Sequence, residues 1–165
     1  MRLVPFAALL FTLASCAPRP PLFGVESGSF RASFDHYAIN VDDVDASVAF
    51  YQRVFDLPEI YDGTGKDNIR WLALGDGMAL HIIESDRSQV NLQKGVHMAI
   101  SLGDFAGFVE RLRTLDVPFE SWQGAPMETN GRPDGVQQVY LQDPDGYWIE
   151  VNDGRSIFGK APVKP

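Results

Sequence analysis

The sequence predicts an α+β fold made of two β-α-β-β-β modules. Three observations predict it. Short runs such as "FDHYAINV" and "YWIEVND" alternate apolar with polar residues, the period of a strand. Two longer segments space their apolar residues by three and four, the period of a helix. The order of these elements then repeats after "SDRSQVNLQK", a polar stretch that reads as a linker.

In the first module, residues 33–85, Phe34 to Val41 reads as a strand. "DDVDASVAFYQRVFDL" follows as a helix, with Val44, Val48, Tyr51 and Phe55 on one face and Asp42 or Asp43 as its cap. Pro58 stops it. "EIYDGTGKD" then leads into the strand "IRWLAL", and "GDG" turns the chain into the strand "MALHIIE". In the second module, residues 95–153, "GVHMAISL" is a strand and "DFAGFVERLRTL" a helix that gathers Phe105, Phe108, Leu112 and Leu115 on one face. "VPFE" is a short strand, followed by a loop from Ser121 to Gly135. "VQQVYLQ" and "YWIEVND" are strands joined by the turn "DPDG".

Strand alternation assigns faces. In the first strand Tyr37, Ile39 and Val41 form the apolar set, with His36, Ala38 and Asn40 opposite. In the fifth, Val96, Met98, Ile100 and Leu102 oppose His97, Ala99 and Ser101. In the last, Tyr147, Ile149 and Val151 oppose Trp148, Glu150 and Asn152. His36, His97 and Glu150 thus fall on the faces turned away from the core, beside small or polar neighbours. The faces around His81 are both apolar and leave its direction open.

The chain has 165 residues, 45% hydrophobic and 22% charged, with a net charge of −8. This fits one globular domain and argues against a nucleic-acid partner, since nothing would neutralise phosphates. The N-terminus differs. Arg2 precedes an uncharged run from Leu3 to Ser15, too short for a stable transmembrane helix and suited to a secretory signal. Its end, "LASC", resembles the lipobox of bacterial lipoproteins. That resemblance implies a signal peptide over residues 1–15, lipidation of Cys16, and export to a bacterial membrane with the domain in the periplasm or extracellular space. Residues 16–29 read as a Pro-, Gly- and Ser-rich tether, residues 30–153 as the domain and 154–165 as a tail.

The duplicated order, the "H-x-A-I" openings of both modules and the "DPDGYWIEV" ending resemble the vicinal oxygen chelate superfamily, which includes glyoxalase I, fosfomycin-resistance enzymes, extradiol dioxygenases and bleomycin-binding proteins. The resemblance implies a cup of curved mixed sheet holding a divalent metal (Zn, Ni, Co, Mn or Fe). It places His36, His81, His97 and Glu150 on the ligand positions, which accounts for all 3 histidines of the chain. Two imidazoles and a carboxylate are a common open ligand set for such ions. Glyoxalase I-like members generally carry glutamate where this chain has His81, so only Glu150 is left to act as a catalytic base.

Asn40, Ser101, Gln138 and Trp148 lie beside those positions, Arg70 sits on a middle strand, and Arg132 lies in a loop able to close over the mouth. These six are the expected substrate contacts. Three functions follow from the resemblance. One is a metal-dependent lyase of glyoxalase I type acting on a small oxygen-rich substrate. The others are a non-heme iron extradiol-type dioxygenase and a drug-binding resistance protein without catalysis. A homodimer is the expected assembly, because the cup in this family is completed either within one chain or across two.

Overall fold

A computed structural model describes residues 34–154. The signal segment, Cys16, the tether, the expected domain start near Phe30 and the tail from residue 155 lie outside the described residues. Among the described residues no helix is long and apolar enough to cross a membrane.

The first module comprises β1 (His36–Val41), α1 (Val44–Phe55), β2 (Glu59–Ile60), β3 (Ile69–Gly75) and β4 (Met78–Glu84). The second comprises β5 (His97–Ser101), α2 (Phe105–Thr114), β6 (Phe119–Glu120), β7 (Asn130–Gly131), β8 (Gln137–Gln142) and β9 (Trp148–Asn152). The α+β class and the duplicated order agree with the sequence reading. The addition is β7, a pair of residues inside the expected loop that folds back on β8. The strands form two sheets, ordered β1-β4-β3-β2 and β5-β9-β8-β6, with β7 also on β8. In each module the first strand runs parallel to the last, β1 to β4 and β5 to β9. A parallel pair needs a long crossover, and the helix and the other strands supply it.

Local chemistry sets the helix limits. The Asp43 carboxylate accepts from the Ala46 amide at 2.9 Å and caps α1. Asp56 ends it in the left-handed region, φ 55°, one residue before Leu57 and two before Pro58. Asp104 caps α2 through the Gly107 amide. Val44, Val48, Tyr51 and Val54 of α1 and Phe108, Val109 and Leu112 of α2 are buried. They join Ile39, Val41, Leu72, Leu80 and Ile82 of the first sheet and Met98, Val139, Leu141, Ile149 and Val151 of the second in one apolar cluster. Burying each such side chain contributes about 1.5–3 kcal/mol.

Polar contacts fasten the modules to each other. The Asp145 carboxylate, in the turn between β8 and β9, accepts from the Asp42 amide at 2.8 Å and the Ser47 hydroxyl at 2.7 Å. Arg87, from the linker, pairs with both Asp42 and Asp145. The buried Tyr51 hydroxyl donates to Asp143 at 2.9 Å. The aspartates of "DPDG" therefore hold α1 as well as making a turn, and Gly146 takes the positive φ (87°) that closes the turn.

Candidate functional site

Because each sheet turns one face to the shared core, the opposite face carries the odd-numbered side chains of β3 and β4 and the even-numbered ones of β8 and β9. On the first sheet this open face holds a row of three rings. His81 lies between Trp71, 4.0 Å away at 3°, and His36, 4.1 Å away at 7°. The backbone register explains it: Trp71 sits opposite His81, and His81 opposite Ala38, two residues from His36 on the same face. His36 Nδ1 bonds the Asp35 carboxylate at 2.6 Å, and Nε2 has no partner among the described residues. Burial, then the neighbouring His36, holds the His81 imidazole below the usual histidine range.

On the second sheet, His97 Nε2 lies 3.2 Å from Glu150 Oε2. His97 Nδ1 donates to the Lys94 carbonyl at 2.8 Å, so in the neutral tautomer Nε2 aims a lone pair at the carboxylate. Two lone pairs at that distance need a proton or a cation between them. Glu150 is buried, 4% exposed, yet well supplied with donors. The Tyr140 hydroxyl reaches Oε2 at 2.6 Å, and Asn152 Nδ2 reaches Oε1 at 2.8 Å. Arg132 approaches Oε1 at 3.4 Å. Burial pushes the Glu150 carboxyl up, but the hydrogen bonds from Tyr140 and Asn152 and the charges of His97 and Arg132 outweigh it and hold the group below its usual range. The same contacts work in reverse on Tyr140, whose hydroxyl is pushed well above the ordinary tyrosine value by burial and by Glu150. A cleft of about 350 Å³ opens over this group, lined by His97, Trp122, Gln138, Arg132 and Tyr140 among others.

Lys94 braces the cleft wall. Its ammonium bonds the Glu120 carboxylate at 2.6 Å and the carbonyls of Ser121 and Trp122 at 2.5 and 3.1 Å. It also lies 4.9, 5.1 and 5.7 Å from the rings of Tyr140, Trp148 and Trp122.

The expected site residues are thus distributed between two places. His36 and His81 share one, and His97, Glu150, Arg132 and Gln138 the other. Among the described residues no three His, Cys, Asp or Glu side chains gather closely enough to hold an ion. Asn40 stands on the open face of β1, its backbone amide donating to the Tyr147 hydroxyl at 3.0 Å. The Ser101 hydroxyl donates to Asn152 at 2.7 Å and so supports Glu150 at one remove. Trp148 flanks Lys94. Arg70 is a correction. It shares the helix-side face of β3 with the buried Leu72 and pairs with Glu59 and with Asp45 of α1, so it braces the helix and does not line the open face. Tyr140, Asn152, Lys94 and Trp122 escaped the sequence reading as site residues, while Trp71 was noted beside Arg70 on the middle strand. Tyr140 had a signal, since it alternates with Gln138 and lies opposite Glu150 once β8 and β9 are paired.

The model of the Glyoxalase/Bleomycin resistance protein/Dioxygenase superfamily matches residues 33–151. The chain belongs to that superfamily. Its relatives carry different chemistries. Lactoylglutathione lyase of Pseudomonas putida is 27% identical over 150 residues, covering 72% of this chain and 83% of the relative. Metallothiol transferase FosB of Shouchella clausii is 27% identical over 124 residues, covering 73% and 79%. Among solved structures, Oxidase ChaP-H2 matches with a TM-score of 0.61 at 21% identity, covering 73% and 92%, a likeness of fold.

Superfamily members typically use a divalent metal, and the second-module pair fits one. Two adjacent ligands bound at about 2.0–2.2 Å on a tetrahedral or octahedral ion stand roughly 2.8–3.6 Å apart. The His97–Glu150 separation of 3.2 Å lies in that interval. The Lys94 carbonyl on His97 Nδ1 and the donors on Glu150 are the outer contacts that orient metal ligands.

Proposed function

We propose that the protein is a divalent-metal-dependent enzyme acting on a small oxygen-rich substrate, with lyase chemistry of glyoxalase I type. The observation that carries this reading is the His97–Glu150 pair, two donors at ligand spacing with their outer contacts already in place. His97 and Glu150 would hold the ion, and His36 of a second copy of the chain would supply a third donor in a homodimer. In support, His36 Nε2 has no partner among the described residues, and no three ligand side chains gather there within one chain. When bound, the metal supplies Lewis-acid stabilisation of negative charge developing on substrate oxygen. The chain's residues do the rest. Glu150 stays anionic at neutral pH and is held by Tyr140, Asn152 and Arg132. Those donors also make it a weaker base, so it takes a substrate proton only as the Tyr140 or Asn152 bond loosens. Tyr140, Trp122 and His97 wall the cleft.

Metal analysis of the full chain, paired with turnover of a methylglyoxal–thiol adduct, tests the proposal. Wild type is expected to retain about one ion per site, and Glu150→Gln to lose both the metal and at least about a hundredfold in turnover. Full metal content and undiminished turnover in Glu150→Gln would falsify the assignment.

One observation favours a second reading. His81 is sandwiched between two rings, which leaves two imidazoles and one carboxylate, the composition of the triad in non-heme iron oxygenases. That reading predicts oxygen uptake with catechols by the Fe(II)-loaded chain.

A further inference from the structure

Gln138 is 4% exposed, and its carbonyl oxygen Oε1 has no hydrogen-bond partner among the described residues. It occurs on β8, on the same face as Tyr140, and lines the cleft above Glu150. A buried acceptor left without a donor is costly, and one that lines a cleft is a place for a ligand to complete. Nearby side chains do not meet the need. The Asn130 amide nitrogen donates to the Gly131 carbonyl and the Asn152 amide nitrogen to Glu150, and neither bonds Gln138 Oε1. Arg132, across the cleft, is bonded to Asp134 at 2.6 Å and to Glu150.

The rest of the cleft narrows the chemistry of the missing donor. The Arg132 guanidinium disfavours an ammonium. Trp122, 46% exposed, stands at the lip with its ring 5.4 Å from Tyr140 and 6.4 Å from His97. Three rings meeting in this way form a corner for a planar apolar group.

We infer that the cleft recognises a substrate bearing a hydroxyl next to a planar group, the hydroxyl donating to Gln138 Oε1 while the planar group covers Trp122. The inference rests on the proposed enzymatic reading and names the substrate class for that site. It requires no particular reaction, so it is read by binding alone.

The experiment uses two probe pairs that differ only in the hydroxyl: mandelate with phenylacetate, and 2-hydroxyacetophenone with acetophenone. Binding to the full chain is followed by calorimetry, for wild type and for Gln138→Met, which keeps the side chain's length and removes its polar atoms. In wild type the hydroxyl member of each pair binds at least about tenfold tighter, a difference of about 1.4 kcal/mol. In Gln138→Met the two members bind within about twofold of each other, and the deoxy compounds bind as they do to wild type. The ligand-free variant melts at the wild-type temperature or a few degrees above it, because an unpartnered buried acceptor has been removed. Equal binding of both members by wild type, in both pairs, overturns the inference. So does discrimination that survives in Gln138→Met, or a ligand-free variant whose melting point falls, which marks Gln138 as structural. Retained metal together with absent hydroxyl discrimination rejects this inference and leaves the proposed function standing. Metal-free protein that still discriminates does the reverse.

Discussion

At the scale of single residues, Glu150 shows how a buried carboxylate is kept charged. Desolvation opposes it, and donors from Tyr140, Asn152 and Arg132 win. Its folded value is depressed below the ordinary 4.5. Such a group contributes stability above its unfolded value, and that contribution is lost as pH falls through the folded one. Tyr140→Phe removes the shortest of these donors. The variant is expected to lose about 1–2 kcal/mol at neutral pH. Its acid-unfolding midpoint, followed by circular dichroism, should move to higher pH than wild type. A midpoint that stays put would show that the Tyr140 hydroxyl does not hold the charge. Asp143 has the opposite sign. Burial raises its carboxyl, so its contribution is fully present below the unfolded 3.8 and declines as pH rises through the folded value. The Tyr51 hydroxyl and the Asp145 and Tyr147 amides temper that cost.

At the scale of elements, strand parity made most of the fold and part of the site legible. The alternation in "GVHMAISL" puts His97 and Met98 on opposite faces, and the structure buries Met98 at 8% exposure on the core side. Parity also held the correction for Arg70, which shares a face with Leu72. Reading it as a substrate contact overlooked that α1 covers that face. The two residues of β7 were illegible, since a pair of residues has no period and β7 exists only by pairing with Gln137 and Gln138. The neighbours of each histidine follow from strand pairing within its own sheet, which no local pattern spells out. Docking of the modules is not written locally either, and the β8–β9 turn takes part in it. Asp145→Ala strips the Asp42 amide and the Ser47 hydroxyl of their acceptor and leaves Arg87 with one carboxylate fewer. A loss of about 1–3 kcal/mol is expected in urea unfolding. Asp86→Ala, whose carboxylate serves only nearby Ser88, is expected to change stability by less than about 0.5 kcal/mol. Similar midpoints for the two variants would remove Asp145 from this role.

At the scale of the whole molecule, two hydrogen-bonded sheets share one apolar cluster that draws on both helices. Residues of both modules make up that cluster, with Phe55 of α1 stacked on Phe108 of α2. The chain is therefore expected to unfold in one calorimetric transition, with equal calorimetric and van't Hoff enthalpies. Two resolved transitions would mean that the modules are separate folding units.

The linker between the modules is stitched at both ends. Arg87 grips the turn between β8 and β9, and Lys94 is anchored among Glu120, Ser121 and Trp122 while its carbonyl fixes His97. Between these anchors lie residues 88–93, exposed except for the half-buried Val90 and Leu92. An engineer who splices extra chain there adds slack that the anchors absorb, whereas a deletion at the same spot tugs directly on an imidazole. The span thus works as a tensioned cord, and trimming it is a route to detuning chemistry without touching a single group in the cleft.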